Sequence, residues 1–221
     1  MSLSFAFLLY RRLVKYWDEF CPPDFRFHRV FVPLCGKSVD LGWMSTSKKC
    51  TVVGCDLAEV AVIEFVREHA DLSFRKSTVK FPNGEDVVMY HTLDNNLRIY
   101  VCDLFSMESA PEDPFNLIWD RGSFVAISPS LRTRYVALMS KLSTPDVRWL
   151  QETLNYPPGL HRGPPCSISS DEFSALYGKL LELLSFRVGE QKNRFTAYWK
   201  YPSFNNMVDK CIFCEIPRAV S

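Results

Sequence analysis

Apolar residues recur along this chain in two rhythms. Short continuous runs at residues 30–34, 51–55 and 115–119 have the pattern of strands covered on both faces, since a strand with one wet face would alternate. Between and around them, apolar positions return every three or four residues. Residues 5–20 place Leu9, Leu13, Trp17 and Phe20 on one helical stripe that ends at Cys21-Pro22-Pro23. Ser38 or Asp40 gives a polar start to a short helix through Trp43, and residues 58–69 form a longer one with Val62, Phe65 and Val66 inward. From Asp86 the segment DVVMYHTL alternates, turns at Asp94-Asn95-Asn96 and resumes as LRIYVCDL, the signature of a hairpin. Spacing over residues 131–142 predicts a helix, residues 147–154 a strand, and Ser169-Ser-Asp-Glu172 a capping box opening a helix to about Leu180. Two further strands are expected near residues 183–188 and 210–216, across a polar, aromatic-rich loop.

Strands alternating with helices imply an α/β fold: a doubly wound, mostly parallel sheet flanked by helices, closing in an antiparallel C-terminal strand pair. No repeat, low-complexity block or linker divides it, so residues 1–221 are read as one domain, with residues 1–28 as helix and lead-in.

Composition narrows the ligand. With 221 residues, 47% of them hydrophobic and a formal charge of +1, the chain has the material for a sizeable core and no basic excess for a nucleic-acid backbone. The apolar run at residues 5–10 is too short to span a membrane, and Arg11 and Arg12 follow it where a secretory signal would have them first. A cytoplasmic monomer with neither nucleic acid nor membrane as partner is expected. Eight cysteines are too dispersed for a disulfide scaffold, and Cys211-Ile-Phe-Cys214 has the spacing of half a zinc site but no second pair, so no metal is expected.

The sharpest chemical signal is VFVPLCGKSVDL, residues 30–41, where a buried strand runs into Gly36-Lys37-Ser38. A nucleotide phosphate loop needs glycine five positions before Gly36. Phe31 stands there, and Pro33 lacks an N–H. The dinucleotide fingerprint also fails, with one of its three glycines present. What remains is a strand ending in a tight turn, and about twenty positions on, a second strand ending in Asp56. A carboxylate there can accept both ribose hydroxyls of an adenosine, and no phosphate is required. Equally, Asp56 can cap the following helix. Asp103 and Asp120 end two more strands: Asp103 suits an adenine amino group, and Asp120 either holds its loop or faces the far end of the ligand.

The blocks RVFVPLCGKSVDLGWM, VVGCDLAEVAVIEF, FNLIWDRGSFVAISPSLRTRY and HRGPPCSIS, in this order over about residues 29–180, resemble the thiopurine S-methyltransferases and their bacterial relatives. That resemblance implies a class I methyltransferase fold, Rossmann-like with seven strands, and S-adenosyl-L-methionine as cofactor. Carried over by position, the cofactor-binding set is Leu34, Gly36, Asp56, Leu57, Asp103, Leu104 and Asp120, with Leu34 giving a backbone contact to the methionyl group. Arg121 of WDRG matches the arginine of the acceptor pocket, where it favours a thiolate and carries the catalytic role, and His161 and Arg162 are substrate-side candidates. The implied reaction is methyl transfer to the sulfur of a small aromatic or heterocyclic thiol. The family usually carries a tryptophan-bearing lid ahead of the first helix. MSLSFAFLLY does not reproduce it, and Arg194 is the candidate for the family's second substrate arginine. A cofactor-binding but catalytically weak homologue, serving as a binding or regulatory protein, is the alternative expectation.

Overall fold

The computed structural model describes residues 11–23, 28–159, 161–181, 185–192 and 208–215. Among these residues nine strands form one sheet: β1 (Arg29–Val32), β2 (Thr51–Asp56), β3 (Phe74–Lys80), β4 (Asp86–Thr92), β5 (Leu97–Val101), β6 (Phe115–Arg121), β7 (Ser143–Asn155), β8 (Ser185–Lys192) and β9 (Val208–Glu215). Their order is β3-β4-β5-β2-β1-β6-β7-β9-β8. The central five, β5, β2, β1, β6 and β7, run parallel. β9 is antiparallel to both β7 and β8. The seven strands from β5 to β8 form the doubly wound sheet, and β3 and β4 extend it antiparallel beyond β5.

β3 is a strand that the apolar pattern did not predict. Its sequence FRKSTVK contains no buried residue, so it carries no apolar alternation. It is a charged strand at the sheet edge, where lysine and arginine discourage further pairing.

Among the described residues the α-helices are α1 (Arg11–Lys15), α2 (Trp17–Phe20), α3 (Asp40–Thr46), α4 (Glu59–Glu68), α5 (Ser123–Ala126), α6 (Arg132–Lys141) and α7 (Ser170–Leu181). The stripe predicted as one N-terminal helix is broken at Tyr16 into α1 and α2; Leu13, Trp17 and Phe20 are buried as expected, and Leu9 lies outside the described residues. Alternation sorts the central strands into two cores. Val30, Val32, Leu117 and Trp119 pack with Leu13, Phe20, Leu41 and Phe65 on one face, while Phe31, Ile118 and Trp149 pack with Phe124, Tyr135, Phe173 and Tyr177 on the other. Each such side chain stabilises the fold by about 1.5–3 kcal/mol on burial.

The amino end of the parallel sheet is tied by a buried carboxylate. Glu112 accepts from Arg98 at 2.7 Å, from Arg29 at 2.8 Å and from the Tyr100 hydroxyl at 2.8 Å. Burial alone would raise its pKa, but the donors of Arg98, Tyr100 and Arg29 outweigh that and hold it below the ordinary glutamate value.

Candidate functional site

The carboxyl ends of β5, β2, β1, β6 and β7 share one edge, and between β1 and β6 successive connections diverge to opposite sides. Ligands of open α/β sheets bind at that switch point. There the chain leaves β1 through Pro33 and two left-handed residues, Leu34 at φ 41° and Gly36 at φ 50°. Glycine adopts such a φ without the steric cost other residues meet. The Cys35 N–H donates to the Cys55 carbonyl at 2.9 Å, which draws the turn onto β2. Gly54 permits this approach, since a Cβ on it would lie 2.8 Å from the Cys35 sulfur.

The two positions singled out by spacing meet directly. The Gly36 N–H donates to Asp56 Oδ2 at 2.7 Å, and the Ala58 N–H to Oδ1 at 2.8 Å. Asp56 therefore caps the entry to α4 and also fixes the turn after β1. Each carboxylate oxygen keeps a free lone pair. Leu57, the next residue, is 67% exposed. One strand over, the Cys102 N–H donates to the Asp56 carbonyl at 3.2 Å, which sets Asp103 beside it. Asp103 is exposed and accepts from the Phe105 N–H at 2.7 Å, opening a short 3-10 turn in which Leu104 is buried. Beyond Asp103 lies a cleft of about 350 Å³, lined by Asn83, Phe105 and Arg134 among others, with the Arg134 guanidinium 4.0 Å above the Phe105 ring. Lys37 pairs with Glu64 at 2.9 Å and Glu68 at 3.1 Å on α4.

On the β6 side of the turn is a cleft of about 260 Å³, walled by Val32, Pro33, Leu34, Cys35, Lys37, Ser38, Trp119 and Arg121. Arg121 is 44% exposed, with Nη1 4.0 Å from Asp40 Oδ2. Asp40, the first residue of α3, is fully buried and also accepts from Trp119 Nε1 at 3.2 Å and Ser38 Oγ at 3.1 Å. Burial raises its pKa; Arg121, Trp119 and Ser38 oppose that shift.

Asp120 faces inward. Its Oδ1 accepts from the Ser123 and Phe124 amides at 2.9 and 3.2 Å, and its Oδ2 from Tyr135 and Gln151 at 2.7 and 3.0 Å. Burial raises this carboxyl too, against the donors of Tyr135, Phe124 and Ser123. Four donors occupy the carboxylate, so of the two expected roles the structure displays the holding of the loop. Ser123 Oγ in turn donates to the Pro33 carbonyl at 2.6 Å, tying the β6 loop to the β1 turn across the cleft.

The loop after β7 is fixed to α5 by the Cys166 N–H donating to the Val125 carbonyl at 2.6 Å, and clamped by buried Arg132, which donates to the Cys166 and Ser167 carbonyls at 3.2 and 3.0 Å and pairs with Glu172 at 2.7 Å. Ser169 accepts from the Glu172 N–H at 3.1 Å, one half of the predicted capping box, while the Glu172 carboxylate goes to Arg132. His161 packs near Tyr156, with ring centroids 6.1 Å apart, and Arg162 is exposed; neither lines the Arg121 cleft. Arg194 lies outside the described residues. Sequence reasoning missed Asp40, Arg132, Tyr135 and Gln151 as parts of the site's frame. Asp40 carried a signal, an acid at the start of a helix, that has an ordinary explanation; the others sit in segments whose apolar pattern hides them.

Residues 9–202 match the family Thiopurine S-methyltransferase (TPMT). The chain belongs to the thiopurine S-methyltransferase family. It is 38% identical over 150 residues to a probable thiopurine S-methyltransferase of Danio rerio, covering 68% of this chain and 63% of that protein. It is 33% identical over 171 residues to the thiopurine S-methyltransferase of Bos taurus, covering 77% of this chain and 68% of the bovine one. The chain thus spans about two thirds of the length of these curated relatives. Its fold is that of class I methyltransferases. Geranyl diphosphate C-methyltransferase from Streptomyces coelicolor A3(2), solved with S-adenosyl-L-homocysteine, superposes with a TM-score of 0.65 at 11% identity over 94% of this chain and 76% of that one. Phosphoethanolamine N-methyltransferase 2 of Haemonchus contortus, solved with S-adenosylhomocysteine, superposes with 0.62 at 11% identity over 95% and 53% of the two chains.

Proposed function

We propose that this chain binds S-adenosyl-L-methionine along the Gly36, Asp56 and Asp103 rim and methylates the sulfur of a small aromatic or heterocyclic thiol in the cleft beneath Arg121. The observation that carries the reading is the Gly36–Asp56 contact at 2.7 Å, which joins the β1 turn and the β2 carboxylate on one edge. The donor set fits a phosphate-free nucleoside. Asp56 and Asp103 offer acceptors to hydroxyl and amino groups, exposed Leu57 offers an apolar surface for a base, and Lys37 is committed to Glu64 and Glu68 rather than to an anion. When bound, S-adenosylmethionine supplies a methyl group already activated for displacement by its positive sulfur.

The residues of the chain then have three tasks. Asp56, held by two amides at the rim, orients the ribose side. The left-handed turn at Leu34 and Gly36 presents backbone rather than side chain to the methionyl side. Arg121, above a cleft whose walls include Val32, Pro33, Leu34 and Trp119, favours the thiolate of the acceptor by its charge. No general base is required, because aromatic and heterocyclic thiols ionise in part near neutral pH. Aligning nucleophile and methyl group can lower such a barrier by about 7–11 kcal/mol.

The test is methyl transfer from radiolabelled S-adenosylmethionine to a panel of aromatic thiols, phenols and amines. Label is expected on the thiols, and Arg121→Met should reduce it by about ten-fold to a hundred-fold. Absence of label on every thiol, with S-adenosylhomocysteine still bound, would instead assign the chain a cofactor-binding, regulatory role.

A further inference from the structure

We propose that Asp40 is a positioning residue for the acceptor cleft, anchoring Arg121 at the place where the thiolate is held; this rests on the reading of the site given above. Three observations converge on it. First, Ser38, Trp119 and Arg121, which meet the Asp40 carboxylate, are all cleft-lining residues. Asp40 itself is fully buried and stands behind that wall. Second, Trp119 and Arg121 are two apart on β6, so they leave the strand on the same side. The indole N–H bonds Asp40 Oδ2 at 3.2 Å and the guanidinium lies 4.0 Å from the same oxygen. Third, Ser38 belongs to the turn after β1, donates to that oxygen through Oγ at 3.1 Å and accepts from the Asp40 N–H at 3.4 Å. The carboxylate is thereby fixed by both walls of the cleft before any ligand arrives.

Arginine needs such an anchor here. A half-exposed guanidinium on a flexible stem carries considerable rotamer entropy, which is lost when it must hold one anion in one place. A rigid buried carboxylate beside it restricts that search in advance. It also demands the cation, because a buried charge stripped of its partner is strongly unfavourable. Asp40 does not touch the acceptor; it acts through Arg121, so its effect should fall on acceptor binding and ionisation and spare the nucleoside side of the rim.

The experiment compares wild type with Asp40→Asn, which keeps an acceptor for Trp119 and Ser38 and removes the charge. Saturation kinetics with 4-nitrothiophenol give KM and kcat. The absorbance of the same thiol, titrated with pH on the protein filled with S-adenosylhomocysteine, reports its ionisation when bound. Calorimetry with S-adenosylhomocysteine and thermal unfolding report the rest of the site and the fold. The proposal expects at least a five-fold rise in KM, a smaller change in kcat, bound-thiol ionisation displaced to higher pH, and unchanged S-adenosylhomocysteine affinity. Asp40→Glu should recover part of the KM. An unchanged or lower KM with wild-type ionisation would overturn it, as would parallel loss of KM, cofactor affinity and melting temperature, the mark of a merely structural residue. A wild type that binds no S-adenosylhomocysteine would remove the underlying reading and this proposal together; a competent wild type with an indifferent Asp40→Asn removes the proposal alone.

Discussion

Residue by residue, the site depends on conformations that few side chains tolerate. Gly36 sits at φ 50° with its N–H committed to Asp56. Gly36→Ala should cost about 1–2 kcal/mol through the left-handed backbone, visible as a lower denaturation midpoint. Truncating Asp56 removes the acceptor of two backbone amides. Asp56→Ala is therefore expected to weaken S-adenosylhomocysteine about ten-fold or more and to lower stability by about 1–3 kcal/mol; unchanged affinity by calorimetry would reduce Asp56 to a helix cap. Both residues were legible in the sequence, because a glycine at a strand end and an acid at the next strand end carry their meaning in local spacing. Asp40 was not. Its role depends on Trp119, distant in sequence, and no local pattern announces that contact.

Among the elements, legibility followed apolar pattern. The hairpin at Asp94-Asn-Asn96 and the strands β1, β2 and β6 were placed correctly, with ends differing by up to three residues, since each has a continuous or alternating apolar run. The single N-terminal helix was not, because the stripe of Leu13, Trp17 and Phe20 continues across the break at Tyr16 with its buried face intact. Charge ties escape such reading altogether. Glu112, from the loop before β6, joins Arg29 of β1 and Arg98 of β5. Its folded-state pKa is depressed, so its contribution is fully present above the ordinary glutamate value of about 4.3 and is lost as pH falls through the lower folded value. Glu112→Gln should lower stability by about 3–5 kcal/mol at neutral pH, and urea midpoints measured between about pH 6 and pH 2 should converge with wild type at the acid end. A constant gap over that range would contradict the ion-pair account.

For the whole molecule, the fold class was legible from alternation of strands and helices, whereas the order of strands was not, since pairing between β1 and β6 joins segments more than eighty residues apart. That order places the divergence of connections at β1 and β6 and so decides where a ligand can sit. Family membership agrees with the proposed class of chemistry, methyl transfer from S-adenosylmethionine. The central claim, that the rim is built for adenosine on sulfur and not for a phosphate, is tested most directly by calorimetric titration of the chain with S-adenosylhomocysteine and, separately, with magnesium-ATP. Saturable one-to-one binding of the first and none of the second is the predicted result. Binding of magnesium-ATP that is abolished by Lys37→Ala, with no heat from S-adenosylhomocysteine, would contradict it.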